Sequence, residues 1–318
     1  MTALYGRVPR LSTYRGILWA VRRRLPIALA TALALLAPAT LAWPAAAAAK
    51  SPCGRTKAAP AWSHVIVIAF ENHSYASVLG AGAPASEFTK LAGECGVATH
   101  FTASHFPHSL PTYIASTSGQ VMITGDCLPG GSCQSGAVNI FSQLGPTGWR
   151  AYGQSMPSPC AKTNSGDYVT RHLPPLYYTR TTHASCVANV LPLPNLVGNL
   201  GRRFTWIAPD QQRDMEVGTP AQASTWLHAV LEGSSGILTH KPYTQGHTAV
   251  FIWFDTGATS DSVSTPLPFI VISPSTPHVH TAVALDDFSA LRVWERMLGV
   301  SCLKRACTAA GMGKPFHL

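Results

Sequence analysis

Beyond residue 50 the chain has no basic block, no Cys-x-x-Cys zinc pattern, no internal repeat and no low-complexity tract. The formal charge of +9 is mostly a property of the first 50 residues, which hold seven of the 23 Lys and Arg and none of the 14 acids. Residues 51–318 carry 16 Lys and Arg against 14 Asp and Glu, a formal +2, with no basic stripe. That balance gives no electrostatic footprint for a nucleic-acid partner, and none is expected. The missing Cys-x-x-Cys removes the common structural zinc sites.

The leader has a pattern of its own. Arg7, Arg10, Arg15, Arg22, Arg23 and Arg24 precede Leu25–Ala49, which has no charge and ends in the small residues 45–49. A basic start, an apolar stretch and small-residue cleavage points describe a secretory signal, and Arg22-Arg23-Arg24-Leu25 weakly resembles a twin-arginine export signal. The stretch is long enough to span a bilayer, but it is mostly Ala and broken by Pro26, Pro38 and Pro44. A cleaved signal over residues 1–50 is therefore expected before a retained anchor, and the protein is expected to be secreted, extracellular or in the cell envelope. All eight cysteines, at 53, 95, 127, 133, 160, 186, 302 and 307, lie beyond the leader. An even count in an exported chain predicts disulfides. Cys127 with Cys133 and Cys302 with Cys307 are close enough to close small loops, and Cys53 with Cys95 and Cys160 with Cys186 are the simplest remainder.

With 46% apolar residues overall, residues 51–318 can bury one sizeable core, and no linker divides them. A single domain is expected. Strands are predicted at Val65–Phe70, Phe204–Ala208, Thr248–Phe254 and Pro268–Ser273. Helices are predicted at Ser86–Ala92, Pro111–Ser118, Ala221–Leu231 and Phe288–Leu298. The alternation predicts an α/β fold whose sheet is mostly parallel with helices on both faces. Residues 125–194, rich in Pro, Gly, Ser and Cys, read as an insertion or lid over one edge.

Two apolar runs end in acids: Val65–Phe70 leads into Glu71 and Asn72, and Thr248–Phe254 leads into Asp255. In open α/β sheets the carboxyl edge is the binding edge. Each residue also has an ordinary structural reading. Glu71 and Asn72 could form a turn with Asn72 left-handed. Ser109, just before Pro111, could be a helix cap, or a hydroxyl aimed at N–H groups that favour a phosphate. Asp214 could be an exposed loop acid. Asp255 is harder to explain so, because an acid at the end of a buried strand needs a partner charge or a metal. The 13 histidines are too many to sort by type alone.

Glu71-Asn72-His73-Ser74-Tyr75 and Ser109-Leu110-Pro111-Thr112-Tyr113-Ile114-Ala115, running on to Thr117-Ser118-Gly119, resemble signatures of the phosphoesterase family. That family holds bacterial acid phosphatases and phospholipases C, in the alkaline phosphatase superfamily. The resemblance continues through Trp149–Cys160, Arg171-His172-Leu173-Pro174-Pro175, Ile272-Ser273-Pro274 and Ser289–Glu295. It implies an alkaline-phosphatase-like fold and hydrolysis of phosphate mono- or diesters by a metal-activated serine nucleophile. Ser109 would match the nucleophile, and Glu71, Asn72, Asp214 and Asp255 the metal or phosphate positions. The implied partner is a small phosphate ester or phospholipid headgroup, with a membrane surface reached through the substrate. Three departures stand out. Asp214-Met215-Glu216 replaces Asp-x-His, Phe254-Asp255-Thr256 replaces Trp-Asp-Glu, and Asp287-Phe288-Ser289 replaces His-Tyr-Ser. Thr112 also stands where the family has Asn. Glu216 and Asp287 would then add carboxylates where imidazoles are lost, shifting the site toward oxygen ligands and toward Mg, Ca or Mn over Zn. Alternatively Asp287 only caps its helix and Glu216 is exposed, leaving a degenerate protein that binds phosphate or headgroups. His105 and His108 are candidates to fill vacated positions.

Overall fold

Five consecutive β-branched or small apolar residues, Val65 to Ala69, together with Phe70, form strand β1 (His64–Phe70), every residue of which beyond His64 is buried. In the computed structural model, which describes residues 51–57, 61–194 and 199–318, β1 lies near the middle of an eight-stranded sheet. The expected leader over residues 1–50 lies outside the described residues. The other strands are β2 (Gly96–Ala98), β3 (Trp149–Gly153), β4 (Val190–Pro192), β5 (Phe204–Ala208), β6 (Thr248–Phe254), β7 (Phe269–Ile272) and β8 (Val279–Thr281). Their order is β4-β3-β5-β1-β6-β7-β2-β8. All neighbours pair parallel except at β7, which runs antiparallel to both β6 and β2. The α/β, mostly parallel architecture expected from the alternation is the one observed.

The register decides where the acids meet. β1 pairs with β6 from His64↔Thr248 through Phe70↔Phe254, so both strands end at one level. The ladder continues for one step beyond: Asp255 N donates to Phe70 O (3.2 Å), and Glu71 N donates to Asp214 O (2.9 Å). Glu71, Asp214 and Asp255 thus leave three neighbouring segments at the same carboxyl edge.

Four helices flank the sheet: α1 (Ser86–Glu94), α2 (Ser109–Ser118), α3 (Pro220–Glu232) and α4 (Asp287–Leu298). α3 starts with a Thr219–Gln222 capping box and a proline in its first turn, a strong start signal. Every residue of α2 is buried, and it packs against α4. Gly119 ends α2 at φ 73°, and a Cβ there would lie 2.2 Å from Leu303 O, so both conformation and space require glycine. The predicted helix Pro111–Ser118 starts two residues earlier than expected, because a proline is tolerated within the first turn.

Residues 125–194 are more than an insertion or lid. They supply β3 and the edge strand β4 to the main sheet, and the loop between these strands returns Arg171 and His172 to the carboxyl edge. None of the described helices is long and apolar enough to cross a membrane.

The cysteines pair as 53–95, 127–133, 160–186 and 302–307, with none free among the described residues. Four disulfides suit an oxidising compartment. Cys53–Cys95 spans 42 residues of sequence and ties the segment before β1 to the end of α1. Replacing both by Ser is expected to lower unfolding free energy by about 2–5 kcal/mol in denaturant titration. Thiol labelling of the denatured, unreduced parent is expected to find essentially no free thiol; two or more would contradict the pairing.

Candidate active site

Glu71 is completely buried where β1 leaves the sheet. Asn72 follows at φ 51°, a left-handed conformation that Asn tolerates better than most residues. The turn reading is therefore correct, and it has a consequence. It brings Asn72 N to donate to Asp255 Oδ1 (3.3 Å) and Asn72 Oδ1 to accept from Thr256 Oγ1 (3.1 Å).

Ser109 is the first residue of α2, not its cap; the capping position is His108, which makes no side-chain cap bond. Instead Ser109 Oγ donates to Glu71 Oε2 at 2.9 Å, and its hydroxyl favours the charged form of Asp255 against burial. One turn on, Tyr113 OH donates to Glu71 Oε1 at 2.6 Å, so the i, i+4 face of α2 holds both oxygens of one carboxylate. The expected row of free N–H groups at this helix start is partly taken. Asp126 Oδ1 accepts from Leu110 N (2.9 Å), and Pro111 has no N–H.

The residue that type alone could not pick out is His172. It is 2% exposed, in a short 3-10 segment at Thr170–His172, and its ring stacks on Tyr113 with centroids 5.5 Å apart. Its Nε2 lies 3.1 Å from Glu71 Oε1 and 3.6 Å from Glu216 Oε2, and its Nδ1 lies 3.1 Å from Asp214 Oδ2. The adjacent Arg171 pairs with Glu216, which also accepts from Gln211 Nε2 (2.9 Å). Met215, at φ 79°, turns the chain so that Asp214 and Glu216 both reach the imidazole, and Glu216 N donates to Asp214 Oδ1 (2.8 Å). Neither acid is an exposed loop carboxylate. The sequence signal was the Arg171-His172-Leu173-Pro174 motif, hidden among 13 histidines.

Other expectations are corrected. Asp287 does not cap its helix: Asp286 does, accepting from Ser289 N at 2.9 Å. Asp287 points its oxygens at Ser104 N (2.6 Å) and Trp253 Nε1 (2.8 Å), so both are already engaged by protein donors. An imidazole also stands among the acids that could hold a metal, since Glu71, His172 and Glu216 offer atoms within 4.8 Å of one another. The imidazole at the cluster is His172; His108 instead faces Asp126, 3.6 Å away.

Burial pushes Glu71 well above the ordinary carboxylate range, helped by Asp255, Asp214 and Glu216 and opposed by Arg171. Burial raises Asp214 to about 8 and Asp255 to about 7, in each case against hydrogen bonds that favour the charged form. Burial first, and Arg171 second, hold His172 down to about 3, so the imidazole is neutral. Four buried polar atoms here make no hydrogen bond of good geometry: Asp255 Oδ2, Arg171 Nε, and Asp214 Oδ2 and His172 Nε2, whose nearest polar neighbours at 3.1 Å are poorly aligned. Unpartnered buried carboxylate oxygens are costly unless protonated or bound to a cation. The groups present could take a divalent ion: Glu71, the neutral His172 and Glu216 each offer an atom within 4.8 Å of the others, and Asp255 carries an unpartnered buried oxygen.

The pH consequence has a definite sign. Asp214 and Asp255 have raised folded-state values, so their contribution to stability is full below their unfolded values near 3.8 and is lost as pH rises through about 7 to 8. His172 opposes this only below its unfolded value of 6.5. Metal-free protein is therefore expected to lose thermal stability between pH 5 and 8, while the stabilisation conferred by added divalent metal grows over that window. Thermal unfolding in chelator and in metal, at matched pH values, checks both.

No protein-family model matches the chain. The phosphatidylinositol-3-phosphatase of Mycobacterium tuberculosis is 25% identical over 177 residues, which is 54% of this chain and 57% of that protein. The match thus spans little more than half of that relative's length. Among solved structures, Ps i-CgsB in complex with k-i-k-neocarrahexaose aligns with 79% of this chain and 75% of its own, at 11% identity and TM-score 0.52. A protein of the alkaline phosphatase superfamily from Vibrio parahaemolyticus aligns with 81% of this chain and 71% of its own, at 12% identity and TM-score 0.48. The chain is thus similar in fold to Ps i-CgsB.

Proposed function

We propose that this protein is an exported, metal-dependent phosphoester hydrolase in which Ser109 is the nucleophile and Glu71, Asn72 and Asp255 hold the metal. The observation that carries this reading is the 2.9 Å contact from Ser109 Oγ to Glu71 Oε2, beside Asp255 with one buried oxygen unpartnered. The name of the mycobacterial relative supports a phosphate monoester on a lipid headgroup, alongside the acid phosphatase and phospholipase C subtypes of the resemblance.

A bound divalent ion would supply charge to stabilise the transferring phosphoryl group and lower the pKa of the serine hydroxyl. The chain's own residues do the rest. Glu71 Oε2 already accepts the Ser109 hydrogen, so it can take that proton as the Oγ–P bond forms and give it up to the alcohol oxygen as the bond from phosphorus to that oxygen breaks. Tyr113 OH holds the other Glu71 oxygen and fixes the carboxylate. Water then cleaves the phosphoserine, releasing phosphate, or a phosphomonoester from a diester, and restoring Ser109.

A second reading, a non-catalytic protein that binds phosphate or headgroups, draws on the engagement of Leu110 N by Asp126 and of Arg171 by Glu216. The separating experiment is hydrolysis of 4-nitrophenyl phosphate and bis-4-nitrophenyl phosphate by purified protein with Mg, Ca, Mn or Zn. Turnover that disappears in chelator supports the hydrolase. Phosphate binding without turnover in any metal supports the second reading. The cleaved leader belongs to the same proposal, and mass spectrometry of secreted protein is expected to find an N-terminus near residues 46–51.

A further inference from the structure

Three metal-ligating side chains that the candidate active site does not use meet between α1 and α3. Glu87 stands in the first turn of α1, and His228 and Glu232 are four residues apart on α3, so one face of α3 presents both. His228 Nδ1 lies 3.2 Å from Glu87 Oε2 and 3.6 Å from Glu232 Oε2, and the three groups offer atoms within 4.8 Å of one another. The backbone is fixed at the same level, because Glu87 N donates to Ser224 Oγ (2.7 Å), one turn before His228 on α3. The Glu87 side chain is only 8% exposed, and its Oε1 has no hydrogen-bond partner; Lys90 Nζ, 3.7 Å away, is beyond hydrogen-bonding distance. A buried carboxylate oxygen in that position is costly unless a cation or a proton meets it. Beside it opens a cleft of about 320 Å³ lined by Ser86, Glu87, Ser224, Thr225 and His228, which gives access from solvent.

We infer that Glu87, His228 and Glu232 form a separate site for a divalent ion of the zinc type, which clips α1 to α3. The inference goes beyond the hydrolase reading, since none of these residues belongs to the candidate active site. Bonds of about 2.0–2.1 Å to a tetrahedral ion put its donor atoms about 3.3 Å apart, and the distances from His228 Nδ1 to the two carboxylates bracket that value. One imidazole with two carboxylates suits zinc, whereas magnesium and calcium take oxygen ligands. Lys90 is the competitor, with Nζ 2.5 and 2.6 Å from the two Glu232 oxygens. Releasing it costs little. The pair is partly exposed, and Glu94, one turn further on α1, has a buried oxygen without a hydrogen bond and also favours the charged form of Lys90. An ion here fastens the two helices whose Phe88 and Trp226 both pack on Phe70, the residue before Glu71, with ring centroids 4.9 and 6.0 Å away.

The His228 side chain is 56% exposed, so His228→Ala removes a ligand without disturbing the core. Calorimetric titration with zinc, in excess magnesium to occupy oxygen-only sites, is expected to count one zinc ion fewer in His228→Ala than in the parent, with circular dichroism unchanged. Lys90→Met removes the competitor and is expected to tighten zinc binding at this site about two- to fivefold. Diethyl pyrocarbonate, which modifies free imidazole, followed by peptide mapping, locates the ion. Zinc is expected to slow modification of His228 in the parent by about tenfold or more, and the same concentration of magnesium is expected not to. Equal zinc counts in parent and His228→Ala, or a His228 that zinc leaves unprotected, would overturn the site. Protection by magnesium as strong as by zinc, or weaker zinc binding in Lys90→Met, would also contradict it. Ester turnover with manganese is expected to be the same in His228→Ala as in the parent, and its presence or absence bears on the hydrolase reading alone.

Discussion

Ser109→Ala is expected to lower phosphate-ester turnover by several orders of magnitude while the fold survives. Removing the nucleophile from a serine-based catalytic unit costs about a millionfold in kcat in a well-characterised protease. The structural cost here is small by comparison. Ser109 is not the helix cap, and what it loses is one hydrogen bond to Glu71, on the order of 1 kcal/mol or somewhat more for a charged acceptor. Glu71 keeps Tyr113 as a partner, so the carboxylate stays fixed. Steady-state kinetics beside a thermal melt separates the two effects. A variant that melts near the parent temperature and retains near-normal turnover of every ester the parent cleaves would remove Ser109 from the mechanism.

Asp255→Asn is expected to abolish metal-dependent stabilisation. In the parent, an ion bound only by the folded state stabilises it by about 2.7 kcal/mol at a hundred times its dissociation constant. Removing one charge from the cluster of Glu71 and Asp255 weakens the cation's hold directly, while the hydrogen bond from Asn72 N can be kept by the new amide oxygen. In chelator the substitution has the opposite sign. Asp255 is fully buried with one unpartnered oxygen, so a neutral side chain relieves a desolvation cost above about pH 7. The variant is therefore expected to be as stable as the parent or more so without metal, and to gain little when metal is added. Thermal shifts at pH 8 with and without Mn test this, and an undiminished metal shift in Asp255→Asn would exclude Asp255 as a ligand. Excess metal is expected to rescue part of the lost activity.

The sheet and the acids at its edge were legible because strand patterning and one-residue overhangs are local. β1, β5 and β6 could be read from continuous apolar runs, and their parallel register then places Glu71 and Asp255 side by side. Cys127–Cys133 and Cys302–Cys307 could be paired from their short spacing, whereas Cys53–Cys95 and Cys160–Cys186, 42 and 26 residues apart, were only the simplest remainder. β3 and β4 were missed because Gly, Pro and Ser around them mask two short strands whose burial comes from tertiary neighbours. His172 was missed as a site residue because its role depends on a long return loop that stacks it on Tyr113 between Glu71 and Asp214, a contact between distant segments. Adjacent aspartates misled in the opposite way. Asp286 and Asp287 differ by one residue, yet one caps α4 and the other turns inward to Ser104 and Trp253.

The claim at the centre of this account is a covalent phosphoserine at position 109. Purified protein with its activating metal, mixed with excess 4-nitrophenyl phosphate and quenched in acid within the first turnovers, can be digested and mapped by mass spectrometry. The account predicts one added phosphate on the peptide containing Ser109, none in the Ser109→Ala variant, and none when chelator precedes substrate. Sustained metal-dependent turnover with no phosphate on that peptide at any quench time, together with a Ser109→Ala variant that still turns over, would contradict it.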